Sequence, residues 1–192
     1  MTPHDPGRRA IVWTAIWDER RPGTGLEHLL LDAGSADSVV LALDEQGRPF
    51  RLVYALTWDE GWRLRDARLA VTTEHAERSL RLETDGRGHW RDGEGARPDL
   101  DGCLDIDIWP TPFTNTFPIR REPLSVGERR EFVMAWVAAP ALTVRPMRQG
   151  YTRRADRRYL YENLDGSGFR AELPVDADGV VLDYEGVFRR IV

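Results

Sequence analysis

Residues 50–58 alternate without interruption. Phe50, Leu52, Tyr54, Leu56 and Trp58 fall on one side of an extended chain, and Arg51, Val53, Ala55 and Thr57 on the other. A period of two predicts a strand with one face toward a core, and few other structures accommodate it. Asp59-Glu60-Gly61 then reads as a turn into a second extended run from Trp62, so the two segments predict an antiparallel hairpin. Similar short runs recur at Ile11 to Trp17, Leu26 to Leu31, Val39 to Leu43, Leu80 to Glu83, Leu104 to Trp109, Phe132 to Val137, Tyr159 to Tyr161, Phe169 to Val175 and Val180 to Tyr184. About ten strands on short connections predict a mainly β fold, an antiparallel sandwich or open barrel with few short helices.

Helical signals are sparse. Asp66 to Arg81 carries arginines and alanines that suit a helix, but Val71-Thr72-Thr73 opposes it. Pro110, Pro112 and Pro118 break the middle of the chain, so Thr111 to Ile119 is expected as an ordered loop with a short turn of helix. Phe132, Met134 and Trp136 oppose Val133, Ala135 and Val137, a strand apolar on both faces. One face then meets the core, and the other lines a cavity or is covered.

Several chemistries are excluded at once. None of the 27 basic residues is a lysine, which removes Schiff-base catalysis, a lysine-anchored cofactor and the P-loop lysine. Cys103 is the only cysteine, so neither an internal disulfide nor a cysteine zinc cluster can form, as suits a reducing compartment. The four histidines are scattered and none of the five serines lies in a Gly-x-Ser-x-Gly elbow. The net charge of −5 mixes arginine with carboxylate, which argues against a general nucleic-acid binder. No run approaches the ~20 apolar residues of a membrane span, and the first residues lack a secretory apolar core. These features predict one cytoplasmic domain over residues 1–192 with no metal or cofactor, and leave the oligomeric state open.

Two motif matches reduce to turns. Gly166-Ser167-Gly168-Phe169-Arg170-Ala171 has the letters of a dinucleotide fingerprint, but Pro174 follows where a helix is needed. Asp176, Asp178 and Gly179 partly fill a calcium-loop frame whose first ligand position is Pro174. The densest chemistry lies between Asp105 and Arg121. Asp105 and Asp107 project from one face of a strand with Cβ atoms about 7 Å apart. Such a pair suits a metal, a shared proton or sugar hydroxyls, and equally the solvated face of an antiparallel strand. Thr111, Thr114, Asn115 and Thr116 add hydroxyl and amide groups, and Arg120-Arg121 add forked cations, together suiting a polar head group. His28, between Leu26 and Leu30 on one strand face, is a further candidate, with a half-buried, hydrogen-bonded histidine as the plainer reading.

Residues 102–121, GCLDIDIWPTPFTNTFPIRR, resemble the signature of a bacterial putative glycolipid-binding family, and Gly25 to Leu29, Gln149-Gly150-Tyr151 and Val181 to Arg190 also look like it. The resemblance spans nearly the whole chain. It implies an open β-barrel or half-barrel with a deep groove, shaped like the exported carriers of lipoproteins, although an export signal is not evident here. It makes Asp105, Asp107, Thr114, Asn115, Arg120, Arg121 and Tyr151 candidates for the groove beside His28. The expected partner is an amphipathic small molecule or glycolipid, bound without catalysis. The rivals are an enzyme acting on a polar small molecule with Asp105, Asp107 or His28 as acid or base, and a domain whose groove receives a peptide or its own symmetry mate.

Overall fold

The computed structural model describes residues 7–16 and 25–192. The expected strand end at Trp17, His4 and the first six residues lie outside them. One sheet contains β1 (Arg9–Ala15), β2 (Leu26–Asp32), β3 (Ser35–Leu43), β4 (Pro49–Trp58), β5 (Leu64–Thr73), β6 (Glu77–Thr84), β7 (Trp90–Asp92) and β8 (Gly95–Ala96). The second holds β9 (Asp105–Trp109), β10 (Arg129–Ala138), β11 (Thr143–Ala155), β12 (Arg158–Asn163) and β13 (Arg170–Pro174). The chain then returns to the first sheet as β14 (Asp183–Tyr184) and β15 (Phe188–Arg190). The first sheet runs β14-β15-β1-β2-β3-β4-β5-β6-β7-β8, and the second, curled into a half-barrel, runs β13-β12-β11-β10-β9. All named pairs are antiparallel except β9 with β10. The fold is mainly β, as the alternation predicts. Of the additional strands, β7, β8 and β15 are pieces of two or three residues, too short for any period to register. β11, at 13 residues the longest, lies outside the expected runs because Arg145-Pro146 and Gln149-Gly150 interrupt its alternation.

Burial follows the alternation along β4. Leu52, Tyr54 and Leu56 are fully buried on the face that the period assigns to the core, while Arg51 and Thr57 are exposed. Residues 66–81 are not a helix. A register shift between Thr57 and Trp58 lets both Leu64 and Ala67 point inward, after which Leu69 and Val71 continue the inward period on β5. The β-branched residues that oppose a helix fit this pleated surface. The proline-rich segment is an ordered loop as expected, with a 3₁₀ turn at Phe113–Asn115 and a short helix α1 (Thr116–Arg121). Gly166 and Gly168 take positive φ, 91° and 69°, in the hairpin between β12 and β13, and Asp176 to Gly179 form a tight turn.

β9 and β10 join the two sheets. Ile106, Ile108, Ala135 and Val137 belong to the apolar cluster built on the first sheet. Phe132 and Met134, on the opposite face of β10, belong to a second cluster with Tyr151, Tyr161 and Leu173. The doubly apolar pattern of β10 therefore reflects two separate neighbours. Trp13, fully buried on β1, ties the start of the chain to its end by donating its indole N–H to the Val181 carbonyl at 2.9 Å.

The two faces of the first sheet should respond differently to truncation. Leu52→Ala should cost about 2–5 kcal/mol in urea unfolding, whereas Leu41→Ala, on the exposed face, should stay within ~0.5 kcal/mol.

Candidate functional site

A cavity of about 940 Å³ opens between the second sheet, the turn joining β3 to β4, and Tyr184 of β14. Its aromatic lining is Trp109, Trp136, Tyr161, Phe169 and Tyr184, with Phe50 and Met147 alongside. Trp109 and Phe169 reach solvent at its edge. Asp107, Thr111, Asn115 and Asn163 supply polar groups on one part of the lining, and Asp44, Glu45 and Gln46 of the turn from β3 to β4 supply others. Arg48 is the one cation in the lining, and it is engaged by Asp44 at 2.8 Å.

The side chains behind this surface hold it in place. Asp107 Oδ1 accepts a hydrogen bond from the Thr114 hydroxyl at 3.1 Å, and Oδ2 one from Gln149 Nε2 at 2.5 Å. The Tyr151 hydroxyl lies 2.8 Å from Asn115 Oδ1 and 3.2 Å from Gln149 Oε1, and can donate to either. Asn115 Nδ2 donates to the Pro112 carbonyl. Asp107 and Asn115 are thus fixed by one network through Gln149 and Tyr151. Burial raises the Asp107 carboxyl above its usual range, against the opposing pull of its bonds from Gln149 and Thr114.

The sequence candidates divide into distinct places. Asp107 and Asn115 line the cavity, and Thr114 and Tyr151 hold them from behind. Asp105 is fully buried, and both its oxygens are taken by Arg121, whose Nε and Nη2 lie at 2.8 and 2.6 Å. This is a buried bidentate ion pair, so Asp105 does not lie on a solvated face, and Asp107 is half-buried in the cavity lining. Arg120 sits elsewhere, 5.3 Å from the Trp62 ring in a separate cleft. His28 is exposed on the outer face of the first sheet, because the pairing of β2 turns Glu27, Leu29 and Leu31 inward.

Glu27 is the group the motif reading passes over. It is 1% exposed, and its Oε1 accepts from Ser38 Oγ at 2.8 Å, Tyr54 OH at 2.5 Å and Thr111 Oγ1 at 2.9 Å. Its Oε2 is buried without a partner. Burial pushes the carboxyl up from its ordinary 4.5 to about 7, despite the three hydrogen bonds. The available signal was a carboxylate in phase with Leu29 and Leu31. Among the described residues, no group of three or more His, Cys, Asp or Glu side chains is disposed to hold a metal ion.

A family model described as "Putative glycolipid-binding" matches residues 14–190. The chain is also similar to the crystal structure of a DUF1089 family protein from Pseudomonas aeruginosa. They share 53% identity and a TM-score of 0.86, over 89% of this chain and 94% of that one. A search of the curated proteins gives no match.

Two stability measurements follow. Asp105→Ala should cost about 3–5 kcal/mol by leaving the buried Arg121 charge with only the longer 3.4 Å contact to Glu122, and Asp105→Leu combined with Arg121→Met should recover most of the loss in urea unfolding. Folded Glu27 holds its proton to higher pH than the unfolded chain does. The stability from that protonation is therefore complete below pH 4.5 and lost as pH rises through about 7. The loss should approach about 3 kcal/mol and be absent in Glu27→Gln, as read from unfolding across that pH range.

Proposed function

Since the chain belongs to the family described as "Putative glycolipid-binding", we propose that its cavity holds an amphipathic small molecule, a glycolipid in the first instance, without catalysis. The carrying observation is the composition of the lining: six aromatic rings beside the Asp107 carboxylate, the Thr111 hydroxyl and the Asn115 and Asn163 amides, with Asp44, Glu45 and Gln46 on the turn from β3 to β4 and the single cation, Arg48, already paired. Aromatic faces accept acyl chains and sugar rings alike. Asp107, Thr111, Asn115 and Asn163 suit a hydroxyl-rich head, which presents both donors and acceptors. An anionic head would face Asp107 with no free cation to offset it. The cavity volume falls in the range of small-molecule sites. The buried lone Cys103 suits a reducing compartment, and we infer a cytoplasmic location from it.

One observation favours a second reading, an enzyme acting on a polar small molecule. Asp107 lines the cavity with its carboxyl held above the usual range, the condition of a general acid. Asp105 has no such role because Arg121 occupies both its oxygens, and His28 faces away from the cavity.

Native mass spectrometry of protein purified under mild conditions from a bacterial host tests the binding reading. A stoichiometric adduct that extracts into organic solvent is the expected result. A protein that stays bare after incubation with bacterial lipid extract counts against it, and turnover of an added glycoside would favour the enzyme. Asp107→Asn should weaken binding about tenfold while leaving the fold intact.

A further inference from the structure

We propose that the Glu27 carboxyl is a proton-binding site coupled to the cavity through the Thr111 hydroxyl, so that a ligand presenting an acceptor oxygen binds with uptake of a proton. The inference rests on the cavity being a ligand site and adds a control on its affinity.

Thr111 belongs to both places. It lines the cavity, and its hydroxyl donates to Glu27 Oε1 at 2.9 Å. That hydroxyl carries one hydrogen, while its oxygen already accepts the Phe113 N–H at 3.0 Å and lies 3.2 Å from the Tyr54 hydroxyl. While Glu27 is ionised, a charge-assisted bond keeps the hydrogen on Oε1, and Thr111 has none to offer the cavity it lines. Ionisation also leaves half the carboxylate charge on an Oε2 that has no donor. A proton on Oε2 removes that charge and leaves Oε1 a neutral acceptor shared by three donors. The Thr111 hydrogen is then free to turn toward a ligand oxygen.

The surroundings leave Glu27 as the group that titrates. Its cross-strand neighbours Trp13 on β1 and Val40 on β3 carry no charge, and Ser38 is a neutral donor. Tyr54, from β4, is the titratable group bonded to it. Burial first, and then the Glu27 charge, raise its hydroxyl well above the usual range, so it keeps its proton. Burial moves the Glu27 transition to about 7, where modest changes of pH shift its occupancy. Asp107, half-buried in the cavity lining, bonds Gln149 and Thr114 rather than this cluster.

The probe is octyl β-glucoside below its micelle concentration, titrated calorimetrically at pH ~6 and ~8 in two buffers of different ionisation enthalpy. The expected result is binding about fivefold tighter at the lower pH, with net proton uptake at the higher one. Glu27→Gln should bind equally at both pH values without uptake, as should Thr111→Val, which carries the comparison if the first variant does not fold. A wild type indifferent to pH overturns the coupling, as does a pH dependence that survives in both variants or disappears only in Asp107→Asn. If the glucoside binds at neither pH, the binding reading fails for alkyl glycosides, and carbon-13 NMR of the free protein decides the coupling. Thr111 signals that follow the Glu27 carboxyl titration support it. Thr111 signals that stay fixed, or a Glu27 charged throughout that range, overturn it.

Discussion

Carboxylates removed from water set the terms for the interior of this molecule. A buried ionised carboxylate must find donors or a cation, or take up a proton. Asp105, Asp107 and Glu27 each meet the requirement differently. Asp105 has the Arg121 fork, Asp107 has two neutral donors, and Glu27 has three donors crowded on one oxygen and none on the other. The first arrangement is closed and fixes α1 against β9. The second faces a cavity, and the third lies one hydroxyl away from it.

Strand β9 makes this possible because both its faces are used. Ile106 and Ile108 enter the core of the first sheet, so Asp105 and Asp107 are committed to the opposite side, toward the barrel interior. The parallel pairing with β10 sets Asp105 beside Met134 and Asp107 beside Trp136. The cavity lining therefore grades from carboxylate to indole across adjacent strands, the polarity gradient an amphipathic ligand needs.

Much of the fold was legible because alternation is a local signal. Phe50 to Trp58 and Phe132 to Val137 show their faces in the letters, and the second pattern required two neighbours before any were seen. Residues 66–81 were ambiguous because arginine and alanine suit a helix, and the register shift that settles the strand lies in its partner β4. The site was only half legible. The text of residues 102–121 holds Asp107 and Asn115, but an ion pair between Asp105 and Arg121 needs α1 folded back on β9, which spacing alone does not fix. On β2, Leu26 and Leu30 on one face and Leu29 and Leu31 on the other leave the inward side undecided. The contacts of Trp13, Val40 and Tyr54 decide it, and they turn Glu27 in and His28 out.

The return of the chain to its first sheet has a bearing on how this protein comes into being. β15 pairs with β1, Trp13 is bonded to Val181, and Tyr184 completes one wall of the cavity. These contacts join positions about as far apart as the chain allows, so they carry the greatest loop-closure cost and belong to the slow, late stage of assembly. During synthesis the first sheet can hydrogen-bond from β2 to β6 long before residues 183–190 exist. The aromatic rings of the cavity then lack one wall, which Tyr184 supplies only when the last strands are in place.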